Sequence, residues 1–178
     1  MSRTLYALLV GIDDYAPSVS PLSGCVNDIT AFLAWLTARA AGEFQLRVRT
    51  LRDKEANREA IIAGLREHLA QAGPNDVALF YYSGHGSQEP CPEKFWPIEP
   101  DHLDETLVCW DSREPGGWDL ADKELAHLIA QVAQRGAHVV VILDSCHSGS
   151  ASRGAQPQTA VRWIPADTRT LTRRPLRS

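Results

Sequence analysis

Apolar residues along this chain recur with two periods, and the periods alternate. Residues 5–12, "LYALLVGI", form an almost uninterrupted apolar run that predicts a buried β-strand. A loop rich in Pro, Ser and Gly follows, "DDYAPSVSPLSGC". Next comes a helical pattern, with Asn27 or Asp28 as the expected cap and Ile29, Phe32, Leu33 and Leu36 on one face as far as about Arg39. "FQLRVRTL" alternates apolar and polar and predicts a second strand, less buried than the first. "NREAIIAGLREHLAQA" predicts a helix capped by Asn57, with Ile61, Ile62, Leu65 and Leu69 as its stripe and Gly73-Pro74 as its stop.

"DVALFYYS" is apolar throughout, as befits a central third strand. Residues 84–119 read as loop-rich, with a short strand at "ETLVCW". "LADKELAHLIAQVAQR" predicts a helix capped by Asp119 or Asp122 and stopped at Gly136, and "HVVVILD" predicts a fourth strand. No period continues past Ser152, so residues 1–152 are expected to form one domain and 153–178 a basic, disordered linker or tail.

Strands that alternate with helices imply an α/β fold with a mostly parallel sheet and helices on both faces. In such sheets ligands bind outside the carboxyl ends of the strands. The 178 residues suffice for one domain with a sizeable core, and no apolar run approaches the roughly 18 residues of a membrane span. The N-terminal apolar stretch runs into Asp13-Asp14 without a small-residue cleavage site, so it reads as a strand and not as a signal peptide. The formal net charge is −4. Six arginines after Cys146, against the single acid Asp167, contribute +5 and leave −9 on the first 146 residues. An acidic body argues against nucleic acid as a partner.

Cysteines stand at 25, 91, 109 and 146, with no C-x-x-C pair. Without an export signal, free thiols and a cytoplasmic location are expected. A zinc site from Cys91 and Cys109 with His102 or His85 would match no standard ligand spacing.

Chemistry concentrates where two apolar strands end. The third strand finishes in "YYSGHGS", with His85 between glycines, and the fourth in "LDSCHSG", with Cys146. Carboxyl ends of neighbouring strands lie about 5 Å apart. Adjacency would therefore bring His85 and Cys146 within reach across 61 positions of sequence. A thiol has a free pKa of about 8.5 and attacks as the thiolate. An imidazole beside it takes or balances the proton and later protonates the leaving amine. Gly84 and Gly86 would let the backbone pass close to a substrate, and the N–H groups of Gly86 and Cys146 suit an oxyanion. His147 is a rival base, but an adjacent residue on an extended segment points the other way.

These motifs, with "LLVGIDDY" and "GCVNDI" upstream, resemble the caspase-like cysteine peptidases of the metacaspase and bacterial orthocaspase group (peptidase C14) over residues 4 to about 152. The resemblance implies a caspase-haemoglobinase-like fold, with His85 and Cys146 as catalytic dyad. It further implies Asp28 and Asp144 as acidic residues of the pocket for the side chain before the cut bond, and Cys25 and Ser83 as its other walls. Two carboxylates in a cleft suit a guanidinium or ammonium, so protein or peptide substrates with Arg or Lys before the cut bond are expected. Independently, Asp144 sits two residues before Cys146, and both can face one side of an extended segment. The dyad requires no cofactor. Calcium is a further trait of the group, and Asp101, Asp104, Glu105 and Asp111 offer oxygen ligands, without an EF-hand loop.

The group's fold continues past the nucleophile with small-subunit strands, and no apolar strand of useful length follows Ser152. The expectation is a large-subunit-like portion: truncated, processed, or completed by another chain or a homodimer. The alternative function is a catalytically incomplete interaction or dimerisation module. The tail arginines Arg169, Arg173 and Arg174 are candidate self-cleavage sites.

Overall fold

The structure is a computed structural model, and it describes residues 3–97, 99–145 and 164–165. In chain order the main elements are β1 (Arg3–Gly11), α1 (Cys25–Ala40), β2 (Phe44–Arg52), α2 (Arg58–Ala63), β3 (Val77–Ser83), β4 (Gly86–Pro90), β5 (Leu103–Leu107), β6 (Leu120–Ala121), α3 (Asp122–Ala133) and β7 (His138–Asp144). Four strands form a parallel sheet in the order β2-β1-β3-β7. The four strands expected from the sequence are these four.

Side-chain alternation along the strands divides the core in two. Leu5, Ala7 and Leu9 of β1 and Val77, Leu79 and Tyr81 of β3 pack against Ile29 and Leu36 of α1. Leu8 and Val10, with Phe80 and Tyr82, face Ile61, Leu65, Leu125, Leu128 and Val132 on the opposite side. Helices thus cover both faces, as the alternation predicts. β3 is buried along its whole length, consistent with its central place. Among the described residues β7 pairs only with β3, and Val141 and Leu143 remain exposed.

Three local expectations are corrected. α1 starts before Asn27 and Asp28: its N-cap is Gly24, at φ 112°, and Asp28 lies inside the first turn. The capping acceptor comes from the loop after β1, where Asp13 carboxylate oxygens take the N–H groups of Cys25 (2.8 Å) and Val26 (3.1 Å). A carboxylate there also complements the positive end of the helix.

α3 is capped by neither Asp119 nor Asp122. Its N-cap is Ala121, whose N–H donates to the Glu124 carboxylate (3.2 Å), while Asp119 turns to Thr106 and Arg113. Residues 84–119 are loop-rich as expected, yet they contribute β4 and β5, which with β6 form a second, antiparallel sheet. The predicted strand at "ETLVCW" is shifted to Leu103–Leu107, so Cys109 and Trp110 lie beyond it.

The helix after Asn57 forms as predicted, with the Asn57 side chain accepting the Ala60 N–H at 2.9 Å. It changes to π geometry over Gly64–His68. At Gly64 a Cβ would lie 2.6 Å from Leu8, so glycine lets this turn press against β1.

Candidate active site

Asp28, Ser83, Asp144 and His85 lie at the carboxyl edge of the parallel sheet. β3 and β7 are neighbours, and their register sets Ser83 opposite Asp144. One residue further, the Gly84 N–H donates to the Asp144 carbonyl (3.3 Å). Continuing the strand alternation, Ser83 and Asp144 lie on the α1 side of the sheet, where Val140 and Ile142 also pack. Asp28 reaches the same corner from α1 and accepts a hydrogen bond from the Ser83 hydroxyl (3.4 Å). Cys25 is buried at the start of α1, with its N–H on Asp13. Asp28, Ser83, Asp144 and Cys25, far apart in sequence, therefore surround one end of the sheet.

His85 is buried and held through both backbone and ring. Its N–H donates to the Tyr15 hydroxyl (2.8 Å), and the Tyr82 hydroxyl donates towards the His85 carbonyl (2.7 Å) and the Val108 carbonyl (2.9 Å). The two hydroxyls are 3.4 Å apart, which closes a cycle of hydrogen bonds around His85. Burial pushes both phenols well above their ordinary pKa, so they act as neutral hydroxyls. The Tyr15 and His85 rings also pack, with centroids 5.0 Å apart.

His85 Nε2 lies 2.8 Å from the Ser20 carbonyl. A carbonyl only accepts, so Nε2 carries the proton of the neutral ring and Nδ1 is its basic nitrogen. Such an imidazole can take a proton from a thiol.

The glycines flanking His85 have separate roles. At Gly84 a Cβ would lie 2.6 Å from the Tyr82 hydroxyl and 2.7 Å from that of Tyr15. Gly84 therefore makes room for the tyrosines that hold His85. The Val108 N–H donates to the His85 carbonyl (3.0 Å), making that the hydrogen-bonded pair beside the Gly86–Leu107 pair. In antiparallel alternation Gly86 then turns its own N–H and carbonyl away from β5. Its carbonyl accepts the Ile164 N–H (3.1 Å) on that side.

Cys146 and His147 lie outside the described residues, as do the tail arginines. The calcium candidates are dispersed in role. Asp101 accepts the Leu103 N–H, Asp104 is buried and paired with Lys123 (2.8 Å), Glu105 is exposed on β5, and Asp111 accepts the Arg58 N–H (2.8 Å). Lys123 also pairs with Glu99 and Asp122. Among the described residues no group of three or more His, Cys, Asp or Glu side chains is arranged to hold a metal ion.

Cys25, Cys91 and Cys109 are buried. Desolvation, followed by the neighbouring Asp104, pushes the Cys91 thiol up to about 12, and desolvation pushes Cys109 up as well. Both stay protonated and are poor nucleophiles or ligands. No helix among the described residues is long and apolar enough to cross a membrane.

A family model described as the metacaspase, peptidase C14 domain matches residues 6–153. The chain belongs to the metacaspase family. Among curated metacaspases, Metacaspase-1 of Schizosaccharomyces pombe is 31% identical over 151 residues, covering 82% of this chain and 34% of that protein. Metacaspase-1A of Aspergillus oryzae is 32% identical over 154 residues, covering 83% and 35%. A crystal structure of a Geobacter sulfurreducens protein matches with a TM-score of 0.66 and 30% identity, over 83% of this chain and 52% of that one. This metacaspase chain thus spans about a third of the curated relatives it matches and about half of the structural neighbour.

The supporting residues Asp13, Tyr15, Ser20 and Tyr82 were not singled out from sequence. For Asp13 and Tyr15 one signal existed: polar and aromatic residues directly after an apolar strand, at the same sheet edge as His85. Ser20 acts through its backbone carbonyl, which leaves no mark in a sequence.

Proposed function

We propose that this chain carries the catalytic portion of a cysteine endopeptidase that cleaves after Arg or Lys. Cys146 is the nucleophile. Its proton passes to His85, the thiolate attacks the scissile carbonyl, and the oxyanion forms against the N–H groups of Gly86 and Cys146. His85 returns the proton to the leaving amine, giving a thioester. Water, deprotonated by His85, then cleaves the thioester and regenerates the thiol. Asp28 and Asp144 receive the substrate's cationic side chain, with Ser83 and Cys25 as walls.

The observation that carries this reading is the pairing at the end of β3. His85 follows a glycine whose N–H is tied to the Asp144 carbonyl, and Cys146 lies two residues past Asp144 in the chain. The test is hydrolysis of matched fluorogenic Arg, Lys and Asp peptides, with and without calcium. Expected are turnover of the Arg and Lys peptides and its loss in Cys146→Ala. Preference for the Asp peptide would overturn the acidic-pocket assignment, and absence of Cys146-dependent turnover by folded protein would overturn the peptidase reading.

The exposed apolar residues of β7, Val141 and Leu143, support a second reading. A parallel sheet is normally covered, and an apolar edge pairs readily. In this reading another strand, from the same protein or another chain, completes the sheet, and the portion alone acts as an interaction or dimerisation module. Sedimentation of the inactive chain would reveal self-association. A monomer that gains peptidase activity on addition of a small-subunit segment would identify completion by that segment.

A further inference from the structure

The chain leaves β7 at Asp144 and comes back to the same place at Ile164. The two returns bracket His85. The Gly84 N–H holds the Asp144 carbonyl (3.3 Å), and the Gly86 carbonyl holds the Ile164 N–H (3.1 Å). Cys146 belongs to the connection between these two anchors.

The second anchor is reinforced by a set of buried polar groups. Ser87 Oγ is 3.0 Å from both the Ile164 and the Pro165 carbonyls, and its single proton serves one of them at a time. The Arg113 Nη2 group donates to Ser87 Oγ (3.0 Å) and to Asp119 Oδ2 (2.8 Å), with Pro165 O as a long third contact at 3.4 Å. Asp119 is fully buried, and its Oδ2 also accepts from the Thr106 hydroxyl (2.9 Å). Thr106 belongs to β5, so the second sheet braces the arginine. The Ile164 side chain packs against the core cluster beneath α2 and α3.

A buried ion pair by itself is weak evidence of stabilisation, and its better-attested use is to impose one geometry. Here the guanidinium is fixed from behind by Asp119 and directed at a hydroxyl that faces the returning chain. We propose that Arg113 is a positioning residue for the active site. Through Ser87 it fastens Ile164 and Pro165 against Gly86, the residue next to His85. The consequence for catalysis rests on the peptidase reading above; the clasp itself does not.

Three variants test this: Arg113→Ala, Arg113→Lys and Ile164→Pro, the last removing the N–H that Gly86 accepts together with the side chain that packs on the core. The first readout is the rate of Cys146 alkylation by iodoacetamide against pH, followed by mass spectrometry, which needs no peptidase activity. The second is kcat and KM on the Arg peptide. Misplacing a reacting group by about 1 Å can cost about 100-fold. Arg113→Ala and Ile164→Pro are therefore expected to lower kcat by about 10- to 100-fold with KM little changed, and to move the alkylation midpoint upward. Arg113→Lys, which retains the charge but loses the planar fork, is expected to recover part of both.

Wild-type kcat and alkylation profiles in folded Arg113→Ala or Ile164→Pro would overturn the proposal. If Arg113→Ala does not fold, Ile164→Pro decides. If the wild type hydrolyses no Arg peptide, the peptidase reading falls and the alkylation profiles alone decide the clasp, identical profiles overturning it.

Discussion

Ser83 and Asp144 stand opposite one another where β3 and β7 end, and the Ser83 hydroxyl donates to Asp28 from a third element. The contact gathers two carboxylates and a hydroxyl at one corner of the sheet. In the proposed pocket a substrate guanidinium or ammonium would pair with both carboxylates. Asp28→Asn and Asp144→Asn are each expected to lower kcat/KM for Arg peptides by about 10- to 100-fold, the range for a lost charge-assisted hydrogen bond. Because the two share a ligand, the double variant should lose less than the product of the single effects. Steady-state kinetics on all four proteins checks this.

The hydroxyl cycle around His85 makes a stability prediction. Tyr15→Phe removes the acceptor of a buried N–H and should cost about 1–3 kcal/mol, read from urea unfolding. Gly84→Ala forces a methyl group against both tyrosine hydroxyls. It should cost at least as much, because overpacking of this kind typically costs about 1–3 kcal/mol. It should also lower kcat, since His85 is the next residue.

Asp13 holds the start of α1, and with it Cys25 and Asp28. Asp13→Ala is expected to destabilise the fold by about 0.5–2 kcal/mol, the usual cost of losing a side-chain cap. Asp13→Asn retains an acceptor oxygen and should lose less. Paired urea titrations distinguish the two.

Asp76 gives a pH-dependent case. Its carboxylate accepts the N–H groups of Thr4 (2.8 Å) and Gly73 (3.0 Å), which hold its pKa below the ordinary 3.8. A depressed carboxylate contributes stability that is fully present above its unfolded pKa and is lost as pH falls through the folded one. The stability difference between wild type and Asp76→Asn should therefore be constant near neutrality. It should shrink only as pH drops below about 4, as followed by urea midpoints across an acid series.

If the pocket accepts Arg, the tail itself is a substrate. Wild-type protein is expected to show new C-termini at Arg169, Arg173 or Arg174, and Cys146→Ala none. Intact-mass measurement reads both, and identical termini in the two proteins would remove self-processing.

The four parallel strands and the residues that end them were legible because each depends on local pattern. An apolar run such as "DVALFYYS" can only be buried, and a polar residue placed directly after it must emerge at a sheet edge. The second sheet was not legible. β4 holds Gly86, Ser87, Gln88, Glu89 and Pro90, with little apolar alternation, and its pairing with β5 is set by surrounding structure. The cap of α1 was misplaced because the sequence offers Asn27 and Asp28 nearby, whereas the acceptor, Asp13, arrives from the end of β1.

Sequence alone therefore determined the α/β class, the strands of the parallel sheet and the residue types at their ends, since each follows from side-chain period and turn chemistry within a short window. Tertiary structure decided which strand ends are neighbours, which carbonyl selects the His85 tautomer, and that Ile164 comes back to Gly86. Those facts depend on contacts between residues dozens of positions apart, whose loop-closure cost is met only when the whole core forms.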